Sequence, residues 1–297
     1  MKPKRITSHS NIAVKEAARL KRKRNRYAVR LFLAEGEDLL DAALRRVIMP
    51  RQVFVLEGHE GPAGKALAKA QASSDESRRG RRPRAEAPEF YAVNQTVMAK
   101  LSELGSGSRV ISVFALQEPR LPDALPAAVG AGGSAGEETA AGPLVFLAGA
   151  GDPGNVGTAI RSAAALGAGG VVLDPETADP YSPKALRATM GSVFNMPVYL
   201  NVAAGELVAW AVGLGLKIVA ADAHRGMAPW EADLSGGFVL ALGAERGGLS
   251  GRLKAAAQEI VRIPQGEAAE SVNVAQAGSI LLYEALRQRE ALRQRKC

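Results

Sequence analysis

Six short apolar runs recur through the second half of this chain: Leu144–Ala148, Gly170–Leu173, Val198–Leu200, Lys217–Ala221, Phe238–Leu242 and Ile260–Ile263. Runs that are apolar at successive positions, and not only at alternate ones, need cover on both faces. Helices returning between parallel strands supply that cover. The alternation therefore predicts an α/β domain on a largely parallel sheet, with helices at Val156–Leu166, Pro183–Phe194, Glu206–Leu214, Leu249–Ala257 and Val272–Arg287. Ser182-Pro183 supplies a capping hydroxyl and a proline at the first helical position, and Gly167 supplies a stop.

At 297 residues the chain has room for a second domain, at about 150 residues per domain. Upstream, Arg30–Ala34 and Val53–Leu56 read as strands and Glu37–Arg46 as a helix with Leu39, Leu40 and Leu44 on one face, which is a small α/β unit. The expected organisation is a basic N-terminal arm over 1–30 and this small α/β domain over 31–116. A proline- and glycine-punctuated linker over 117–142 and the larger α/β domain over 143–297 complete it. Within the first domain, residues 73–88 are polar and arginine-rich with nothing to bury, and read as a mobile insertion.

Charge is concentrated at one end. Residues 1–30 carry eleven Lys/Arg against Glu16 alone, a net +10, whereas residues 31–142 carry −2 and residues 143–297 are neutral, for +8 in all. Lys21, Arg22, Lys23, Arg24 and Arg26 lie at the centre of the basic stretch and are candidate phosphate contacts for a nucleic acid; the plainer reading is a solvated arm. With 47% hydrophobic and 23% charged residues the chain is neither disordered nor fibrous. Its one cysteine, Cys297, excludes an internal disulfide framework, and His9, His59 and His224 lie in no metal-ligand spacing, so no metal is expected. Arg161, Asp174, Glu206 and Lys217 interrupt the most apolar stretches, and the N-terminus lacks an apolar signal core. The expectation is a cytoplasmic protein with no membrane segment.

Three loops follow predicted strands. The first, Gly149-Ala-Gly151-Asp-Pro-Gly154, matches the G-x-G-x-x-G dinucleotide pattern, with Asp174 twenty residues after Gly154 in the place of a ribose-binding acid. An NAD-dependent oxidoreductase is therefore one alternative. Asp152-Pro153 argues against it, since an acid and a rigid ring stand where backbone should meet pyrophosphate. The second loop runs Leu242-Gly-Ala-Glu-Arg-Gly-Gly-Leu-Ser250 and the third Ile263-Pro-Gln through Glu270-Ser-Val-Asn-Val274. Ligands in open α/β sheets bind beyond the carboxyl ends of strands, so the three loops are candidates for one crevice.

These loops, with Asp152-Pro-Gly-Asn-Val-Gly-Thr-Ala-Ile-Arg161-Ser-Ala and Ser182-Pro-Lys-Ala-Leu-Arg-Ala-Thr-Met-Gly-Ser192, carry a resemblance over both domains to the SpoU (TrmH-like) branch of the SPOUT RNA methyltransferases. The resemblance implies a C-terminal domain with a deep trefoil knot, and S-adenosylmethionine as cofactor. It also implies methylation of an RNA ribose 2′-hydroxyl by a homodimer. Phe32-Leu-Ala-Glu-Gly36 is similar to the ribosomal-protein L30e-like substrate-binding domain that precedes the catalytic domain in that family, and with the basic stretch favours 23S ribosomal RNA over transfer RNA.

Carried over residue by residue, the resemblance implies that Arg161 activates or orients the hydroxyl, with Asn155, Glu245, Ser271 and Asn273 also at the reaction centre. Leu242, Gly243, Ala244, Gly248, Ile263, Gln265 and Val272 are implied around the cofactor, and Lys184 and Arg187 are candidate phosphate contacts. The ordinary readings are a surface role for Arg161 and capping of the last helix for Ser271 and Asn273. Gln265 stands where methionine is common in the family and Ala275 where serine often follows Asn-Val. A catalytically silent RNA-binding or ribosome-assembly factor of the same fold is thus the second alternative.

Overall fold

A computed structural model describes residues 2–77, 87–103, 107–124, 126, 142–244, 247–266 and 271–295. It divides into two compact units, one of residues 1–117 with Tyr181–Phe194 and one of residues 118–180 with Asn195–Cys297.

The first unit runs β1 (Lys4–Ile6), α1 (Ile12–Arg19), α2 (Lys23–Val29), β2 (Leu31–Glu35), α3 (Glu37–Arg45), β3 (Gln52–Leu56), α4 (Glu60–Ser77), β4 (Glu89–Val93), α5 (Gln95–Leu101) and β5 (Val110–Ala115). Its strands form one mixed sheet in the order β1-β4-β3-β5-β2, with β1, β4 and β3 parallel and β5 antiparallel to both β3 and β2. The segment expected as a separate arm is built into this unit. β1 extends the sheet beside β4, and Val14, Ala17 and Leu20 bury against Phe54, Val97, Met98 and Leu101. An apolar stripe at helical spacing lies under the charges, and the density of lysine and arginine masks it in the sequence. Likewise α4 continues to Ser77, past the start of the expected insertion at 73, whose residues 78–86 lie outside the described ones.

The second unit, with the segment that crosses into the first, runs β6 (Leu144–Ala148), α6 (Pro153–Ala165), β7 (Gly170–Leu173), α7 (Pro183–Thr189), β8 (Val198–Tyr199), α8 (Ala204–Gly213), β9 (Lys217–Ala221), β10 (Phe238–Gly243), α9 (Gly251–Ala256), β11 (Glu259–Val261) and α10 (Val274–Gln294). All six strands are parallel, in the order β11-β9-β10-β6-β7-β8. Strand period two splits the apolar runs between two cores. Val145, Leu147, Val171, Leu240 and Leu242 face α6 and α10, and Leu144, Phe146, Val172, Val239 and Ala241 face α8 and α9. Each fully buried Leu, Val or Phe contributes roughly 1.5–3 kcal/mol.

None of the five predicted helices keeps both bounds: α6, α8 and α9 shift by up to three residues at an end, and α7 and α10 by more. The predicted Pro183–Phe194 helix ends at Thr189, because Met190 (φ 49°) and Gly191 (φ 85°) turn left-handed before a single 3-10 turn at Ser192–Phe194. Phe194 then stacks on Phe32 of the first unit and Tyr181 packs tilted against the same ring, and a Cβ on Gly191 would lie 2.3 Å from that of Ala42. The boundary expected at 143 is therefore crossed by residues 181–194, which pack with the first unit. The last helix starts two residues later than expected, at Val274, because Asn273 caps it. Most of the expected linker, residues 125 and 127–141, lies outside the described residues. No described helix is long and apolar enough to cross a membrane.

Candidate active site

Sheet order sets the position of the site. The chain starts at β6, adds β7 and β8 on one side, then returns to add β9, β10 and β11 on the other, so β6 and β10 flank the reversal point. At such a point the loops leaving the carboxyl ends diverge to opposite faces and open a crevice. The loops after β6 and β10 do meet there, with a Cβ built on Gly149 falling 3.4 Å from the Cβ of Ala244.

A cavity of ≈ 340 Å³, within the range of small-molecule sites, lies beside that point at the carboxyl ends of β9, β10 and β11, so two of the three expected loops line it and the loop after β6 does not. Its walls include Leu242, Gly243, Ala244 and Gly248 from the loop after β10, Ile263 and Gln265 after β11, and Ser271 and Val272 ahead of α10. All seven residues expected around a cofactor, and Ser271 with them, thus line one space. The loop after β10 can fold so tightly only because Gly243 has no side chain: a Cβ there would stand 2.2 Å from the Gly248 carbonyl carbon and 2.4 Å from the Leu249 nitrogen. Gly248 takes a left-handed turn (φ 59°) and its N–H donates to the Ala244 carbonyl at 2.9 Å. Glu245 lies outside the described residues. The Gln265 Oε1 atom is buried with no hydrogen-bond partner among the described residues.

The first and third motifs meet through side chains. Asp152 caps α6, its Oδ1 accepting from the N–H groups of Gly154 (2.6 Å) and Asn155 (3.1 Å) ahead of Pro153 at the first turn. Asn273 caps α10 in the same way, accepting from Ala275 at 2.9 Å and Gln276 at 3.4 Å. Its Nδ2 is left to donate to Asn155 Oδ1 at 2.9 Å, across 118 residues of chain. Capping and inter-motif contact therefore coexist in one side chain. Arg161 is exposed on α6 and makes no hydrogen bond or ion pair with another described residue. It is not among the residues lining the cavity.

The dinucleotide reading fails at its acid. Asp174 Oδ1 accepts from the N–H groups of Gly149 (3.0 Å), Glu176 (3.1 Å) and Thr177 (2.8 Å) and from the Thr177 hydroxyl (2.7 Å). Asp174 is spent holding the loop after β7 to the loop after β6 and does not line the cavity. The acid that does line it is Asp222, directly after β9, ion-paired to Lys254 at 2.7 Å. Asp222, His224 and Lys254 belong to no motif, and sequence reasoning missed them. The available signal was their place at the carboxyl end of a strand and at the helix behind it. Among the described residues no group of three or more His, Cys, Asp or Glu is arranged to hold a metal ion.

The basic stretch divides by burial. Arg26, expected as a phosphate contact, is 3% exposed, and its guanidinium donates to the carbonyls of Leu20 and Lys21, both at 2.8 Å, at the carboxyl end of α1. Its charge serves a helix end and is withdrawn from solvent. Lys21 is half-buried and donates to the Ser102 carbonyl at 2.7 Å. Arg22, Lys23 and Arg24 are exposed, Lys23 lying 5.9 Å from the centre of the Tyr27 ring, and so are Lys184 and Arg187 on α7.

Two family models match the chain: the SpoU rRNA Methylase family over residues 142–283 and an MRM3-like substrate binding domain over residues 11–111. The crystal structure of an AdoMet-bound rRNA methyltransferase from Sinorhizobium meliloti is 31% identical in sequence with a TM-score of 0.78, covering 96% of this chain and 97% of that one. A 23S rRNA (uridine(2479)-2′-O)-methyltransferase of Streptomyces viridochromogenes is 37% identical over 142 residues, 46% of this chain, so the match spans about half (50%) of that relative. The 23S rRNA (guanosine(2553)-2′-O)-methyltransferase RlmP of Bacillus subtilis is 28% identical over 283 residues, 94% of this chain and 98% of its own. A likeness that extends through both units at this identity reflects common descent and not shared architecture alone, and the chain belongs to the SpoU rRNA methylase family.

Proposed function

We propose that this protein transfers the methyl group of S-adenosylmethionine to a ribose 2′-hydroxyl of 23S ribosomal RNA. The observation that carries the reading is convergence. The loops bearing the second and third motifs enclose one cavity, and the Asn273–Asn155 hydrogen bond ties the first motif to the third. The residues there fit such a cofactor. Leu242, Val261, Ile263 and Val272 give apolar walls for an adenine ring, and the Gln265 Oε1 atom, without a partner among the described residues, is an acceptor suited to its amino group. When bound, the cofactor supplies an electrophilic methyl group to the RNA hydroxyl.

The chain's own part is orientation and charge. A ribose hydroxyl is a weak nucleophile, so it must be held in line and its developing negative charge stabilised. Arg161 is assigned that electrostatic task, because a guanidinium stays protonated and serves poorly as a base. Asn155 and Asn273 position the RNA or the cofactor through their shared hydrogen bond, and Ser271 and Glu245 are assigned to the same centre. Arg22, Lys23, Arg24, Lys184 and Arg187 hold phosphates, which adds counterion release to the binding. The reading includes a trefoil knot in the SPOUT unit, an L30e-like first unit and a cytoplasmic location. It also includes a homodimer, for which Ile280, Tyr283 and Leu292 on α10 are the exposed apolar candidates.

The test is transfer of tritiated methyl from S-adenosylmethionine to unmodified ribosomal and transfer RNA, with Arg161→Ala beside the wild type. The expected result is label in the 23S RNA that falls at least 100-fold in the variant, about 2.7 kcal/mol of transition-state stabilisation. Binding of RNA and cofactor without label on RNA or on ribosomal particles would make the protein a silent assembly factor.

A further inference from the structure

We propose that Asp222 and Lys254 form a clamp for the ribose diol of the cofactor, a role that rests on the reading above and that no family motif carries. Among the described residues the cavity wall holds two charged side chains, and they are paired with each other: Asp222 Oδ2 lies 2.7 Å from Lys254 Nζ. Asp222 is 7% exposed and Lys254 26%. The carboxylate also accepts from the backbone N–H groups of His224 (2.9 Å) and Arg225 (3.3 Å), both through Oδ1, with Arg225 Nε at 3.8 Å from Oδ2. The Lys254 hydrogen bond, aided by those N–H groups, holds the Asp222 carboxyl down at about 2. The carboxylate stays ionised.

A carboxylate offers about four acceptor positions and an ammonium three donors. Three acceptor positions and one donor are used, which leaves an acceptor beside two N–H donors at the cavity wall. A vicinal diol has matching requirements, with one hydroxyl donating to the carboxylate and its neighbour accepting from the ammonium. Carboxylates recognise ribose this way in dinucleotide sites, and here the task falls to Asp222 because Asp174 turns its Oδ1 to its own loop and does not line the cavity. An adenine ring has no donor–acceptor pair of that spacing on its sugar side, and the apolar walls and Gln265 are left to hold it.

Calorimetric titration of the full chain with S-adenosylhomocysteine, its 2′-deoxy and 3′-deoxy analogues, and 5′-methylthioadenosine tests this. Asp222→Asn and Lys254→Met are expected to weaken S-adenosylhomocysteine and 5′-methylthioadenosine equally, by about 10- to 100-fold. Each deoxy analogue loses about tenfold on the wild type. That loss shrinks below about twofold on the variant lacking its partner, a coupling that a purely structural role would not produce. Undiminished deoxy penalties in both variants overturn the clamp. So does a loss confined to S-adenosylhomocysteine, which would move the pair to the amino-acid end. Should Asp222→Asn fail to fold, because it also anchors residues 224–225, Lys254→Met alone decides. Absence of any wild-type binding overturns the proposed function with it, whereas binding with unchanged penalties overturns the clamp only.

Discussion

Three glycines within six residues make opposite demands on a methyl group, and alanine scanning of them tests the geometry of the cavity wall directly. A Cβ on Gly247 meets nothing within 4 Å, so Gly247→Ala is expected to leave stability unchanged. Gly248 holds a φ of 59°, and a Cβ there meets Lys254 Nζ at an ordinary 4.0 Å, so Gly248→Ala costs only the left-handed backbone penalty, about 1–2 kcal/mol. Gly243→Ala drives a Cβ to 2.2, 2.4 and 2.6 Å from the backbone of Gly248 and Leu249, where ordinary contact begins at 3.4 Å. Backbone must retreat by more than an ångström. The retreating segment caps α9 through Ser250, so the strain cannot relax into solvent. Overpacking of this kind costs about 3 kcal/mol, the upper end of the usual range. Thermal unfolding should place Gly243→Ala about 6–12 °C below the wild type, with Gly248→Ala between it and Gly247→Ala. Cofactor titration should show Gly243→Ala losing more than tenfold through misplacement of Leu242 and Ala244, and Gly247→Ala unchanged. If Gly243→Ala melts with Gly247→Ala and binds normally, the close approach that shapes the cavity does not exist in solution.

Asn273 is expected to separate its two tasks. Asn273→Ala loses the cap of α10 and about 1 kcal/mol, whereas Asn273→Asp keeps the cap and the unfolding temperature but cannot donate to Asn155, so methyl transfer falls by more than tenfold in both. Arg26→Ala should destabilise the first unit by about 2 kcal/mol in urea unfolding, because two carbonyls at the end of α1 lose a charged donor. Arg24→Ala should leave stability unchanged and lower the salt slope of RNA binding by about one. Asp222 carries a depressed carboxyl, near 2 against an ordinary 3.8, so its contribution is complete above about pH 4 and is lost as pH falls toward 2. Wild type should exceed Asp222→Asn in stability at pH 7 and converge with it as acid unfolding is followed downward. A gap that persists at pH 2 would contradict the ion pair.

The strands were legible as continuous apolar runs: Leu144–Ala148, Gly170–Leu173 and Lys217–Ala221 coincide with the predicted bounds and Val198–Leu200 and Phe238–Leu242 miss by one residue, because strands covered on both faces stand out from their polar flanks. The start of α7 was legible because a capping Ser182 is followed by proline, whereas the caps Asp152, Ser250 and Asn273 start their helices two or three residues from the predicted positions. The seven residues implied around a cofactor came from the motif resemblance, and the structure brings all seven to the wall of one cavity, where the close approach at Gly243 gives the physical reason for a glycine. Arg26 was not legible: nothing in a run of eleven basic residues among the first thirty distinguishes the one that turns inward to a helix end from those that face solvent. Asp174 and Asp222 make the same point. Each is an acid just past a buried strand, and the sequence by itself determined only that both sit at the carboxyl ends of a parallel sheet. Which acid is consumed by its own loop and which lines the cavity was decided by the order β11-β9-β10-β6-β7-β8. That order puts β9, with Asp222, beside β10 over the cavity, and puts β7, with Asp174, on the far side of β6. Sheet order is settled by packing between segments distant in sequence, so it leaves no mark on either residue's neighbours in the chain.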